Sequence, residues 1–480
     1  MGVSVPEGDG THGGRARPAV ELLVVLVLVL AAVSSWADLG DRLGVAAPDP
    51  TEEPALVEPP SAVELPPAAA ARPVAAAAAE AELDPAAVRS AVSGLTGAKR
   101  LGTRFALVVA DVDGDTVHRQ GPRIMTPAST TKLLTAAAAL QAMDPQRRFE
   151  TTVRRQGRTL VLVGGGDPLL GRAPDADVTY PTERADLRTL ARLTAQELSR
   201  GSQPARFRLR YDTSLFSGPE VSPQWRSDYI PDNVVSPITA LWADQGRVPD
   251  GFGAREDDPA QAAAELFADH LRAAGVRVGR PQEGTAPDDA AEVGSVRSAP
   301  LAAIVQHVLE TSDNEAAEVL LRHVALAQGM PGSFADGVRA VREVLSELGV
   351  RFPGAEWYDG SGLSRRNRLS TVTLVDVLTT SLERPRLARV TSGLPVAGFT
   401  GSPSDRFVIR AEPGLGRVRA KTGTLTGVSG LAGVVRTRDG AAMLYVALAD
   451  RIRETDTLWA RARLDRISAA LADCTCRART

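Results

Sequence analysis

Thr126-Pro127-Ala128-Ser129-Thr130-Thr131-Lys132 runs directly into the apolar stretch 133–140. A proline and small hydroxyl residues ahead of strong helix formers place Ser129 at or near a helix N-terminus. Lys132, three residues on, then lies one turn away on the same face. A serine hydroxyl is a poor nucleophile at neutral pH unless a base takes its proton. A lysine shielded from water, its pKa lowered by burial or a second cation, can be that base. The helix N-terminus also favours negative charge developing beside Ser129. Alone, the pair says little, because a capping serine next to a solvated lysine explains an isolated match better.

Two later stretches change that balance. Thr311-Ser312-Asp313-Asn314 follows an apolar helical pattern, and Lys421-Thr422-Gly423-Thr424 ends a basic, strand-like run. Ser-x-x-Lys, Ser-Asp-Asn and Lys-Thr-Gly in this order are the signature set of penicillin-binding proteins and class A β-lactamases. Taken separately, Ser312-Asp313-Asn314 also suits a helix cap, and Lys421-Thr422-Gly423 a strand end with a turn.

At 480 residues the chain exceeds one compact core, so two domains with accessory segments are expected. A formal net charge of −3 gives no reason to expect nucleic-acid binding. The only cysteines, Cys474 and Cys476, sit in the tail 474–480. They do not match zinc-ligand spacing, and a bridge across one residue is expected to be strained, so they receive no function. His12, His118, His270, His307 and His323 form no metal-like cluster, and neither a metal nor a cofactor is expected.

Residues 1–18 are glycine-rich and polar, with Arg15 and Arg17 before the apolar segment 19–37, whose unbroken core is 22–33. Basic residues ahead of it place the N-terminus in the cytoplasm and the remainder outside. Ser35-Trp36-Ala37 also suits signal-peptide cleavage. The segment reads as a transmembrane signal-anchor or a signal peptide, the long N-terminal region favouring the anchor. The expected location is the cell membrane with the catalytic part extracytoplasmic, or secretion after cleavage. Residues 38–83, rich in alanine, proline and glutamate, read as a disordered tether.

Along the globular part the pattern predicts a helix over 84–95, strands on either side of Asp113-Gly114-Asp115, and the Ser129 helix. Strands and turns prevail after 151. Gly164-Gly165-Gly166-Asp167-Pro168 reads as a turn, since Gly-x-Gly-x-x-Gly is absent. Helical patterns cover 186–200, 259–274, 301–309, 315–327 and 333–348, and a dense loop occupies 357–365. Strands at 417–421, 428–436 and 441–449 and a helix over 454–472 complete an α+β fold, with the N- and C-terminal helices on one face of an antiparallel sheet. Ser129 and Ser312 are much farther apart than in a compact β-lactamase. The excess matches a β-rich inserted domain, 151–256, dividing a catalytic domain made of 84–150 and 257–473.

Around these motifs, over roughly 84–450, the chain resembles the low-molecular-mass class C penicillin-binding proteins, the D-alanyl-D-alanine carboxypeptidase/endopeptidase family. Asp359-Gly360-Ser361-Gly362-Leu363-Ser364-Arg365, Leu394-Pro395-Val396-Ala397-Gly398 and Gly166-Asp167-Pro168 share the likeness. The resemblance implies the penicilloyl-serine transferase fold, with an antiparallel sheet flanked by helices and a helical lobe. It implies a serine-type carboxypeptidase acting on peptidoglycan stem peptides ending in D-Ala-D-Ala and acylated by β-lactam antibiotics. Ser129 would be the nucleophile and Lys132 its base. Ser312 would relay the proton to the departing D-alanine, and Asn314 would bond the peptide. Lys421, Thr422 and Thr424 would hold the terminal carboxylate, and the N–H groups of Ser129 and Thr424 the oxyanion. Gly423 would let the substrate strand approach the sheet edge. Asp228, or failing it Asp232, would meet a free amine of the stem, and Arg365 would be the cleft arginine.

Two rivals stand beside this reading. A β-lactamase needs a water-activating group; Glu347 is in range but lies in an amphipathic pattern without the accompanying Leu-Asn. A non-catalytic wall-binding protein of the same fold would not need Ser129, Lys132, Ser312 and Lys421 together.

Overall fold

A computed structural model describes residues 82–97, 99–174, 183–201, 206–249 and 253–478. The expected cytoplasmic segment (1–18), the anchor or signal peptide (19–37) and nearly all of the tether (38–83) lie outside them. No helix among the described residues is long and apolar enough to cross a membrane.

Asp84 caps helix α1 (Pro85–Val92) by accepting the Ala86 N–H, with proline in the first turn where its missing donor costs nothing. Strands β1 (Arg104–Ala110) and β2 (Thr116–Gln120) form a hairpin. The short β3 (Ile124–Met125) leads to the Ser129 turn and α2 (Lys132–Ala142). Next come β4 (Glu150–Gln156), β5 (Thr159–Val163), α3 (Leu187–Ser199) and β6 (Arg208–Asp212). Then follow α4 (Pro259–Ala273), β7 (Gln282–Glu283) and β8 (Ala291–Arg297). A helical lobe contains α5 (Leu301–Thr311), α6 (Asn314–Ala327) and α7 (Phe334–Glu347). After β9 (Leu369–Ser370), α8 (Thr371–Glu383) and α9 (Ala388–Ser392), the chain closes with β10 (Val418–Leu425), β11 (Val428–Arg436), β12 (Ala442–Asp450) and α10 (Thr457–Asp473).

The catalytic sheet is antiparallel with strand order β10-β11-β12-β1-β2. Successive side chains of a strand point to opposite faces, and both faces here are buried. On β12, Leu444, Val446 and Leu448 join the core that contains α2 and the helical lobe. Met443, Tyr445, Ala447 and Ala449 join a second core with Val88 and Val92 of α1 and Leu464, Ile467 and Leu471 of α10. The terminal helices therefore share one face, as the sequence pattern predicts. Burying each such leucine contributes roughly 1.5–3 kcal/mol. β10, which carries Lys421-Thr422-Gly423-Thr424, is an edge strand.

The second sheet has the order β7-β6-β5-β4-β8, with the β5–β6 and β6–β7 pairs parallel and the β4–β5 and β4–β8 pairs antiparallel. It runs from Glu150 to Arg297, so the inserted block does not end at 256; α4, β7 and β8 belong to it as well. The boundary was hidden because β8 buries only Val296, and an exposed edge strand shows no apolar alternation. Helix α8 is another departure: its Thr- and Val-rich sequence has weak helix propensity, but Ser370 caps it and nine of its residues are buried. Cys474 and Cys476, assigned no pairing above, are joined to each other. The Cys476 carbonyl accepts the Asp84 N–H, tying the chain's end to the start of α1.

Candidate active site

Ser129 lies in a single 3-10 turn, Ala128–Thr131, and Lys132 begins α2. The turn is tight: Ala128 has φ 47°, in the left-handed region that costs a non-glycine residue energy. Loop 359–364 packs onto it so closely that a Cβ on Gly362 would come 1.9 Å from the Ala128 carbonyl oxygen. Ser129 remains partly exposed, while Lys132 is fully buried.

The Lys132 Nζ reaches three oxygens: Ser129 Oγ at 3.0 Å, Asn314 Oδ1 at 2.8 Å and the Ser361 carbonyl at 2.8 Å. Three acceptors match the three donors of an ammonium. Burial pulls the Lys132 pKa down to about 8, opposed by the carboxylates of Glu318, Asp313, Asp359 and Glu315. An amine with that pKa holds a usable neutral fraction at neutral pH, which an exposed lysine does not.

In Ser312-Asp313-Asn314, capping and chemistry coexist. Asp313 accepts the Ala316 N–H at the start of α6, as a cap should. Asn314, one residue on, reaches Lys132. Ser312 ends α5 with φ 64°, and among the described residues its hydroxyl has no hydrogen-bond partner. The inserted block braces this motif: Gln245 donates to Asp313 Oδ2 at 2.6 Å, and His307 lies 3.1 Å from the same oxygen.

On β10, Lys421 is fully buried with Nζ 3.1 Å from the Thr422 carbonyl oxygen. Burial, and then the neighbouring charges of Lys132 and Arg406, depress its pKa well below the ordinary lysine value. Thr424 is exposed beyond it. Gly423 also meets a constraint internal to the fold: a Cβ there would lie 2.8 Å from the Pro127 carbonyl oxygen and 3.4 Å from Ala128 Cβ. Glycine is therefore required for β10 to pass the nucleophile turn, before any substrate arrives.

Two buried carboxylates were not legible as site residues. Glu318 accepts the N–H groups of Gly360 and Ser361, each at 2.8 Å, and so holds the peptide whose carbonyl takes Lys132. Burial, with the charge of Asp359 nearby, pushes its pKa up to about 8. Its only sequence signal is position, four residues past Asn314 and hence on the same face of α6. Asp359 accepts the Trp225 indole N–H at 2.9 Å, the Asn367 amide at 2.7 Å, and the N–H groups of Gly362 and Ser364. Tyr229 donates to the Leu363 carbonyl at 3.2 Å. Loop 222–233 of the inserted block is thereby docked on loop 359–365.

Asp228 is carried on that docked loop but is already engaged: it forms an exposed ion pair with Arg226, which lowers its pKa. The Asp232 N–H bonds the Asp228 carbonyl at 2.8 Å. Arg365 donates to the Thr426 carbonyl just past β10. Arg365, Arg104 and Arg368 border a cavity of 300 Å³ there. Glu347 ends α7 and is exposed, away from the Ser129–Lys132 pair.

The chain matches the D-Ala-D-Ala carboxypeptidase 3 (S13) family over residues 88–251 and 249–471. It is 33% identical to "Carboxypeptidase DacB" of Mycolicibacterium smegmatis, over 82% of this chain and 89% of that one. It is 26% identical to the "D-alanyl-D-alanine carboxypeptidase" of Actinomadura sp. (strain R39), over 91% and 87%. Its fold is that of penicillin binding protein 4 from Haemophilus influenzae, with a TM-score of 0.65 at 23% identity, covering 80% of this chain and 98% of that one. Family match and shared fold agree with a buried lysine on a serine at the start of a helix, and the chain belongs to the D-Ala-D-Ala carboxypeptidase 3 (S13) family.

Proposed function

We propose that the chain is a serine-type D-Ala-D-Ala carboxypeptidase acting on peptidoglycan stem peptides and acylated by β-lactams. The carrying observation is Lys132 Nζ, fully buried and 3.0 Å from Ser129 Oγ. In its neutral form Lys132 takes the Ser129 proton as Oγ attacks the penultimate D-alanine carbonyl. The resulting oxyanion is met by the N–H groups of Ser129 and Thr424. Asn314 and the Ser361 carbonyl keep Lys132 aimed throughout. The Ser312 hydroxyl, without a hydrogen-bond partner among the described residues, carries the proton to the leaving amine, so the C–N bond breaks and D-alanine departs. Water then attacks the acyl-enzyme, the proton path reverses, and Ser129 is regenerated. Lys421, Thr422 and Thr424 hold the carboxylate of the leaving residue, whose charge also helps an ammonium to exist at Lys421.

Neither carboxylate weighed for the β-lactamase rival is placed to activate water, since Glu347 is exposed and Glu318 is committed to two backbone N–H groups. Residues 19–37 are proposed to lead the chain out of the cytoplasm and to hold it at the membrane. The test is fluorescent-penicillin labelling together with D-alanine release from a pentapeptide stem. Ser129→Ala should abolish both while leaving the protein folded. Labelling that persists on another serine would overturn the assignment.

A further inference from the structure

The edge of β10 is occupied along its first half. Ala420 donates its N–H to the Pro395 carbonyl at 3.1 Å, and the Val418 carbonyl accepts from Ala397 at 3.0 Å. Alternation along a strand means that Thr422 and Thr424 present their backbone groups to the same side, where the edge is open among the described residues. A substrate strand bound there, with its terminal carboxylate toward Lys421, therefore runs up against residues 395–397. The same strap turns back and brings Ser402 across the end of the cleft. The Ser402 N–H bonds the Glu310 carbonyl at 3.1 Å, on the last turn of α5 before Ser312. Its hydroxyl lies 2.7 Å from the Thr422 hydroxyl. Ser402 thus joins the two walls of the cleft at the end where the leaving residue must sit, and it is exposed there.

We infer that Ser402 is a specificity-determining residue for a free carboxylate on the leaving residue. The inference rests on the peptidase reading above. Two hydroxyls in contact share one hydrogen between them and leave the other to point outward. A carboxylate offers only acceptors, so it orders the pair: one hydroxyl donates to its neighbour, and the outward hydrogen goes to the ligand. Without Ser402, Thr422 is free to rotate its hydrogen away, and its bond to the carboxylate is weakened.

The test compares an N-acylated peptide ending in D-Ala-D-Ala with its C-terminal amide, in the wild-type chain, Ser402→Ala and Ser402→Thr. Ser402→Ala should raise KM for the acid about three- to tenfold with kcat nearly unchanged, because the lost bond acts on ground state and transition state alike. The amide, which has no carboxylate to hold, should not respond, and Ser402→Thr should restore the acid. If the amide turns over too slowly, acylation rates of penicillin and its methyl ester give the same ratio. An equal loss on acid and amide would show that Ser402 only holds the strap in place and would overturn the inference, as would no loss on either. A wild-type chain that releases no D-alanine would instead overturn the peptidase reading beneath it.

Discussion

Glu318→Gln isolates the part of the site that lies behind the nucleophile. In the native chain one carboxyl oxygen accepts the Gly360 N–H and the other the Ser361 N–H, each at 2.8 Å and fully buried. Glutamine keeps one acceptor and turns an NH2 toward the second N–H. One bond is lost and a buried donor is left unpaired, at a cost of about 1–3 kcal/mol. The Ser361 carbonyl belongs to that same peptide segment and holds Lys132 at 2.8 Å. Moving it should displace the base from Ser129 and slow acylation roughly ten- to a hundredfold, the range for a small misplacement of a catalytic group. The charge change acts in a second, separable way. Glu318 is the strongest of the carboxylates holding the Lys132 pKa up against burial. Since the Glu318 pKa is itself pushed up to about 8, the neutral replacement removes that charge only at and above this pH, and should shift the upper part of the rising limb to lower pH. Stopped-flow acylation by a fluorescent penicillin from about pH 5.5 to 9.5, with thermal unfolding on the same samples, reads both effects. A variant that acylates at the native rate, with an unmoved limb, would refute the claim that Glu318 positions Lys132. A lower melting temperature with an unchanged rate would reduce Glu318 to a structural residue.

In the native chain the acylation rate should rise about tenfold per pH unit below the Lys132 pKa, near 8, and level off above it; a profile flat from pH 6 to 9 would refute Lys132 as the base. The sign for stability is opposite to that of a favourable ion pair. A lysine whose folded pKa is lowered is penalised most below about 8, and the penalty fades toward its ordinary value of 10.5. Glu318, raised from 4.5 to about 8, opposes this, its penalty growing as pH climbs between those values. Asp228→Asn frees Arg226 and should lower kcat/KM for amine-bearing stem peptides by no more than about fivefold, since the carboxylate is exposed and already paired. Penicillin acylation should not change, and a parallel loss there would show that Asp228 supports the docked loop.

The candidate site residues were legible because their signal is local. Ser129 and Lys132 lie one turn apart at the start of α2, Asp313 caps as its side chain dictates, and Lys421 lies within a strand. The sheet of the catalytic domain was legible for a related reason: both faces of β11 and β12 are buried, so the apolar runs are long. The second sheet was not, because β8 buries a single side chain and leaves no pattern to read.

By itself, then, the sequence determined the three motifs, their order, the α+β class and the presence of an insert between the first two motifs. Tertiary structure decided what those residues become. Lys132 is fitted to act as a base only because the fold buries it, and Gly423 is glycine because β10 passes the Pro127 carbonyl. Glu318, Asp359, Gln245 and Ser402 gained their roles from partners distant in sequence: Ser361, Trp225, Asp313 and Thr422. A carboxylate or hydroxyl in a sequence gives no sign of which donor it will meet. Only the tertiary packing of segments distant in sequence supplies those partners, because a hydrogen bond depends on distance and direction in space.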